Sequence, residues 1–127
     1  MTCNDIFRKA LRLLNEKGNE AENEDYAERA PFIIASMCSE AEETDRRYRT
    51  AKGLSPAASF NRVYVDLEED FPLSDRFASP AAFYLASMLI LDENDEMADV
   101  FYDRYCDSMS KIEAGISAVI ERTSEVY

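Results

Sequence analysis

The sequence predicts a mainly α-helical fold, an irregular bundle of about five helical segments with one short β-hairpin. Hydrophobic residues make up 46% of the 127-residue chain, which is enough for one core at the usual size of a domain. Only three glycines and four prolines leave little material for the many tight turns of an all-β fold. Apolar side chains recur mostly at intervals of three and four residues, as in helices with one buried face. We therefore expect residues 1–127 to form a single helical domain.

The first two helices are predicted over residues 4–17 and about 24–49. Asn4 suits the N-cap of the first helix and Gly18 suits its stop. The apolar stripe of this helix consists of Ile6, Phe7, Ala10, Leu11 and Leu14. In the second segment, Pro31 removes one backbone donor, so it either kinks one helix or opens a new one. The kink is favoured because the apolar face continues through Tyr26, Ala30, Ile33, Ile34, Met37, Cys38 and Ala41.

The hairpin is predicted over about residues 60–73. Its side chains alternate, with Val63, Val65 and Leu67 on one side and Arg62, Tyr64 and Asp66 on the other. A period of two is typical of a strand. The acidic residues at 68–70 would turn the chain, so that residues 71–73 pair back on the first strand.

Two further helices and a short helical turn are predicted in the C-terminal half. The turn would begin at residues 74–78, and a helix over 80–91 would follow, capped by Ser79 with Pro80 at its first position. This helix is apolar on nearly all sides, which places it at the centre of the fold or in an oligomer interface. The last helix, over about 95–123, would be roughly 40 Å long, so the first helices or another subunit must cover its far end.

The charge and the cysteines limit the classes of function. A net charge of −12, from 26 acidic and 14 basic residues, repels phosphate backbones and anionic membranes. We expect neither sequence-specific nucleic-acid binding nor membrane binding, since the longest apolar run, over 81–91, is also too short to span a bilayer. The three cysteines are far apart and no secretory signal opens the chain, so we expect free thiols in a reducing cytoplasm.

No residues point to catalysis, a cofactor or a metal. The chain has no histidine, which is the commonest general base and zinc ligand. The stretch from Asp92 to Glu96 resembles the start of a calcium loop, but Met97 stands where glycine is required and Asp103 where glutamate is required. We read it as a solvated helix N-terminus. An enzyme that uses two of the 26 acidic residues is a third hypothesis, because no pair is singled out.

The candidate functional feature is a protein-interaction surface. Its members are Arg46, Arg47, Arg49, Tyr64, Phe71, Leu73, Met109, Ile112 and Ile116. The arginines, together with Lys52, could bind phosphate or an acidic partner. Alternatively, they could cap the end of the second helix and pair with the acidic residues at 42, 43 and 45. We expect Tyr102 and Tyr105 to pack in the core rather than to form a stacking platform.

Several stretches together resemble a known family. They are Ile6–Leu14, Glu28–Ile34, Leu73–Phe77, Tyr84–Asp95 and, in the last block, Ala98 through Phe101, Tyr102 and Arg104-Tyr105, within residues 4–112. The pattern resembles small head–tail connector (neck or adaptor) proteins, encoded between capsid and tail genes in phages and prophages of Gram-positive bacteria. Such proteins often carry glycine after the paired leucines, where this chain has Asn15.

The resemblance implies a structural role without catalytic residues. Copies would form a ring between portal and tail, with portal, tail or neighbouring connector subunits as partners. The protein would lie in the bacterial cytoplasm during assembly and in the virion neck afterwards. DNA would pass through the lumen, and an acidic lumen would repel it and let it slide. The alternative is a small acidic helical regulator or adaptor, including a DNA mimic, that binds a partner protein as a monomer or dimer.

Overall fold

The computed structural model describes residues 1–15 and 23–126, with side chains as far as residue 120. These residues form α1 (Cys3–Leu13), α2 (Glu24–Lys52), a single 3-10 turn (Asp75–Phe77), α3 (Ala78–Ile90) and α4 (Asp95–Val126). The prediction of a mainly helical fold is confirmed. The described residues contain four α-helices and the 3-10 turn, not five helical segments.

Helix α3 is the central element, since α1, α2 and α4 all pack against it. Leu85 and Leu89 are completely buried. Small side chains beside them let the neighbouring helices come close: Ala78, Ala81, Ala82 and Ala86. A helix with neighbours on several sides has to be apolar around most of its circumference. The central position predicted for this segment is confirmed.

The start of α1 differs from the prediction. Thr2 is the N-cap: its hydroxyl accepts a hydrogen bond from the Asp5 N–H at 3.2 Å, and the Asp5 carboxylate accepts one from the Thr2 N–H at 2.9 Å. This reciprocal pair satisfies two backbone donors at once, so Asn4 was the wrong choice of cap. The turn after α1 brings Asn15 to a φ of 60°, a left-handed conformation that asparagine tolerates. The predicted end of the helix, over residues 16–18, lies outside the described residues.

Helix α2 is continuous through Pro31. The alternative of two helices separated at this proline is therefore wrong. The carbonyl of Pro31 also accepts a hydrogen bond from the Val65 N–H at 3.3 Å, which ties the later loop to α2. The helix runs three residues beyond the predicted Arg49 and ends at Gly53, whose φ of 69° is easily adopted only by glycine.

The predicted hairpin over residues 60–73 is wrong. Among the described residues, the only β-type pairing is one isolated antiparallel bridge between Thr2 and Asp70. The expected alternation also fails, because Val63 is 81% exposed whereas Val65 is completely buried. Val63 is exposed to solvent and contributes no burial to the core. The alternation of apolar and polar residue types therefore does not correspond to an alternation of buried and exposed side chains.

The segment instead closes the start of α1. The Asn4 N–H donates to the Leu67 carbonyl at 2.8 Å, and the Cys3 N–H donates to the Glu69 carbonyl at 2.9 Å. The first amide groups of a helix have no partner within the helix, so these bonds satisfy donors that would otherwise stay open. Arg62 donates two hydrogen bonds to the Glu69 carboxylate, at 2.5 and 3.1 Å, which stabilise the conformation of this segment.

The boundaries of α3 and α4 are close to those predicted. Helix α3 begins at Ala78, directly after the 3-10 turn, so Ser79 is not its cap and Pro80 is its third residue. Proline is still acceptable there, since amides of the first turn need no partner in the helix. Helix α4 begins at Asp95 as predicted, where the Asn94 side chain accepts from the Met97 N–H at 3.0 Å. Its buried seam consists of Ala98, Phe101, Tyr105, Ile112 and Ile116.

Candidate functional site

The structure distributes the predicted interaction residues between core and surface. Four of them are buried: Phe71, Leu73, Ile112 and Ile116. Met109 is half-buried and packs against the same core. These side chains fill the space between elements, so in this conformation they support the fold rather than offer contacts to a partner. The exposed members are Arg46, Arg47 and Tyr64, and Arg49 is half-buried.

The arginine cluster is largely engaged within the chain. Arg46 donates to the Glu42 carboxylate at 2.8 Å. Arg49 donates to Asp45 at 3.0 Å and to a backbone carbonyl of the following loop at 3.1 Å. Asp45 is only 3% exposed, and its pair with Arg49 lies within α2, whereas the bond from Arg49 to the Ser55 carbonyl ties α2 to the chain that follows it. The pairing with acidic residues considered from the sequence describes these two arginines, while Arg47 is exposed.

A recess of about 280 Å³ lies beside this cluster, between α2 and the loop after it. Arg46 and Arg62 both line it, and each guanidinium is bonded to a carboxylate. The hydrogen bonds from Arg62 hold the pKa of Glu69 below its usual value. Arg46 and Glu42 both belong to α2, and Arg62 and Glu69 both belong to the loop, so each guanidinium at this recess is paired within its own segment.

A larger recess, the apolar groove, lies on the face shared by α2 and α3 and has a volume of about 610 Å³. It is lined by Glu28, Arg29, Phe32, Ile33, Ser36, Tyr84 and Met88. Phe32 is 53% exposed, and its ring meets that of Tyr64 edge-on with centroids 5.2 Å apart. Exposed apolar patches of this kind mark protein-interaction sites.

The wall of the groove is held in place by contacts between α2 and the end of α3. The Arg29 guanidinium donates to the carbonyls of Met88 at 3.0 Å and Leu89 at 3.4 Å. The last carbonyls of a helix lack partners and carry partial negative charge, so this arginine satisfies and complements them. The Tyr26 hydroxyl donates to Glu93 just beyond α3. The groove is therefore preformed and does not depend on a partner to open.

An aromatic cluster lies between α3 and α4. The rings of Tyr84 and Tyr105 meet edge-on at 5.0 Å, and Tyr102 lies 5.7 Å from Tyr105. Burial, aided by the carboxylate of Glu40, raises the pKa of Tyr84 and of Tyr105 above the usual value for tyrosine. Tyr105 packs in the core as predicted, whereas Tyr102 is 42% exposed and lies at the surface.

A third recess, the cationic pocket, lies where the end of α2 meets the 3-10 turn and α4. Its volume is about 200 Å³, and it is lined by Tyr48, Ala51, Lys52, Arg76, Lys111, Ile112, Gly115, Ile116 and Val119. Three of these residues are basic and none is acidic. Ile112 and Ile116 form a buried apolar floor, and the basic residues are exposed. The pocket can therefore receive an apolar group that carries negative charge at its edge.

The thiols differ in reactivity. Burial raises the pKa of Cys3 and of Cys38 to about 12, so both stay protonated and unreactive at neutral pH. Cys106 is exposed on α4. Within residues 1–15 and 23–126, no group of three or more potential metal ligands comes together. No helix in the same ranges is long and apolar enough to cross a bilayer.

Comparison with known protein families, with curated proteins and with solved structures found no match for this chain.

The sequence contains a signal for the apolar groove but not for the cationic pocket. Phe32 is a large apolar residue that lies off the predicted inward face of α2, which indicates an exposed aromatic ring on that helix. The cationic pocket has no such signal, because Lys52, Arg76 and Lys111 come from distant parts of the chain. Only the packing of three elements brings them together.

Proposed function

We propose that this protein is a phage or prophage head–tail connector subunit that assembles into an oligomeric ring between portal and tail. The observation that carries the proposal is the presence of two separate recesses of different character on one small helical body, the apolar groove and the cationic pocket. A connector subunit needs more than one contact surface, because it binds its neighbours in the ring and also portal or tail. Phe32 and Tyr48, which line the two recesses on α2, are 16 positions apart, or roughly 24 Å along the helix.

Two further features support the role. The net charge of −12 suits a ring through which DNA slides without sticking, since like charges repel. Asn15, which stands where the resembling proteins often carry glycine, adopts the left-handed backbone that glycine favours. Asn15 can therefore serve the same backbone role in the turn as the glycine that the resembling proteins often carry.

The test is assembly of the purified protein, alone and with the portal and tail-completion proteins encoded beside it. Multi-angle light scattering and negative-stain microscopy should show a ring, either spontaneously or on addition of portal. A protein that stays monomeric at every concentration and binds neither component would overturn the proposal. Gene neighbours provide an independent check, since portal, capsid and tail genes are expected on either side.

The groove is tested by a pair of matched variants. Phe32→Ser removes the exposed ring at the centre of the groove, and Leu54→Ser removes an apolar side chain of similar exposure, 48% against 53%, that does not line it. Neither change opens a cavity in the core, so both variants should fold. We expect Phe32→Ser to weaken binding to portal, tail or neighbouring subunits at least tenfold and Leu54→Ser to leave it unchanged.

A second candidate function is the small acidic regulator that covers a basic surface of a partner protein. The exposed carboxylates around the joint between α3 and α4, at Asp92, Asp95 and Glu96, favour it. A monomer that binds a DNA-binding protein in competition with DNA would support this function against the connector. Neighbouring restriction or toxin genes would point the same way.

A further inference from the structure

The cationic pocket is unusual in a chain with a net charge of −12. Lys52 is near the C-terminal end of α2, where a cation complements the helix dipole. That explanation does not extend to Lys111, which lies in the middle of α4, or to Arg76 on the 3-10 turn. Lys111 forms a pair with Asp107 at 3.3 Å, but both side chains are about 70% exposed, and such pairs contribute little. The three cations are therefore available to an acidic ligand.

The same chain carries a surface of complementary character. The joint between α3 and α4, residues 91–96, is exposed throughout. Leu91 is 46% exposed there, and the carboxylates of Asp92, Asp95 and Glu96 flank it in sequence. Within the described part of the chain, none of these three acids forms an ion pair. An exposed aliphatic side chain with three exposed carboxylates close to it in sequence is complementary in character to an apolar floor lined by cations.

The joint is rigid enough to act as a preformed ligand. The N–H groups of Glu93 and Asn94 both donate to the Ile90 carbonyl, at 2.9 and 2.8 Å. The side chain of Asn94 caps α4, and the Tyr26 hydroxyl bonds to Glu93. A segment that is already ordered loses little conformational entropy when it binds.

The two surfaces cannot meet within one molecule. Asp95 and Lys111 are 16 residues apart on the continuous helix α4, so about 24 Å of helix separates them. We propose that the cationic pocket receives Leu91 and the flanking carboxylates of the α3–α4 joint of a second copy of this chain. Copies then associate head to tail, with one acidic joint and one cationic pocket left open at the two ends.

This contact deepens the proposed function, on whose ring assembly it rests. A head-to-tail contact uses different surfaces on the two partners, so it repeats until a ring closes or a filament grows. The pocket volume of about 200 Å³ is sufficient for one branched aliphatic side chain, since a cavity of about 150 Å³ holds a benzene molecule. The charges around it select the orientation and make the association depend on salt.

The experiment uses two variants of the full chain that each remove one surface. The pocket variant carries Lys52→Glu, Arg76→Glu and Lys111→Glu, and the joint variant carries Leu91→Ser, Asp92→Ser and Glu96→Ser. At about 100 μM protein in low salt, well above a micromolar Kd, we expect wild-type protein to scatter as an oligomer and each variant alone as a 14.5 kDa monomer. An equimolar mixture retains one intact contact per pair and should yield a heterodimer of twice that mass.

A charge-matched control separates the contact from the effect of net charge. Arg8, Arg12 and Arg104 are exposed and line none of the recesses described above, so their replacement by glutamate should leave the oligomer intact. Association of the wild type should weaken at least tenfold as salt rises from about 50 to 500 mM, because screening shortens the reach of charges. Dissociation of the control variant, or two separate monomers in the mixture, would overturn the proposal.

A variant that fills the pocket provides a second test of this contact. A Cβ atom at Gly115 would meet nothing within 4 Å, and leucine is a better helix former than glycine. We expect Gly115→Leu to occupy the pocket and abolish the oligomer, and a melting temperature no lower than that of the wild type checks that the variant folds. If the variants and the wild type all form the same ring, this contact is wrong while the connector role stands. If the wild type alone stays monomeric at this concentration, this contact is wrong, and the connector role fails as well if no ring forms with portal.

Discussion

Replacing Asp45 by alanine should lower the free energy of unfolding by about 3 kcal/mol. This carboxylate is 3% exposed and accepts three hydrogen bonds, from the Arg49 side chain at 3.0 Å, the Ser74 N–H at 3.1 Å and the Ser74 hydroxyl at 2.5 Å. It joins α2 to the start of the 3-10 turn, across 29 residues of chain. Its removal leaves three part-buried donors without their acceptor.

The magnitude follows from the exposure of those donors. Each of the three donors left unsatisfied costs about 1 kcal/mol, the low end of the usual range, because a partly exposed group recovers some hydration. Arg49 is 21% exposed, which permits that recovery. For 127 residues the unfolding entropy is about 0.27 kcal/mol per kelvin, so the melting temperature should fall by roughly 11 °C.

The assay is thermal and urea unfolding followed by circular dichroism, with Asp107→Ala as the matched control. Asp107 also pairs with a cation four residues later on a helix, but the two side chains are 69% and 72% exposed, so its loss should cost under about 0.5 kcal/mol. A double-mutant cycle with Ser74→Ala should give a coupling of at least about 1 kcal/mol. A loss for Asp45→Ala no larger than that of the control would refute the reasoning.

Three more predictions concern the thiols, the pH dependence and α4. A thiol reagent at pH 8 should modify Cys106 rapidly in the native protein and reach Cys3 and Cys38 only after denaturation, because burial raises the pKa of those two to about 12; rapid labelling of all three would contradict the packing. The pKa of Glu69 is lowered in the folded state, so its stabilising effect is complete above the ordinary value of 4.5 and is lost as the pH falls through the folded pKa. Urea midpoints at pH 7 and pH 3 should therefore differ less in Glu69→Gln than in the wild type, and an equal difference would refute the assignment. Gly115→Ala should raise the free energy of unfolding by up to about 1 kcal/mol, because the added methyl group meets no neighbour within 4 Å and reduces the conformational entropy of the unfolded chain. A lower melting temperature would count against this.

The helical class, the central place of α3 and the start of α4 were all predictable from the sequence. Each depends on local information: apolar side chains at helical spacing, a segment that is apolar on every side, or asparagine before a charged first turn. The groove was not predicted, although Phe32, an aromatic residue off the predicted buried face of its helix, is a sequence signal that could have indicated it. These features are predictable because a helix satisfies its own backbone hydrogen bonds, so the formation of a helix depends less on distant residues than the formation of a sheet does.

Only the tertiary structure determined the conformation of residues 60–73 and the set of residues that line the cationic pocket. The alternation around Val65 predicted a strand, but the open amide groups at the start of α1 offered better partners to its carbonyls than a second strand did. The pocket required residues 52, 76 and 111 to meet, and no local pattern connects them. Spacing along the chain determines which face of a helix is buried, while contacts between distant segments determine which charges end up side by side.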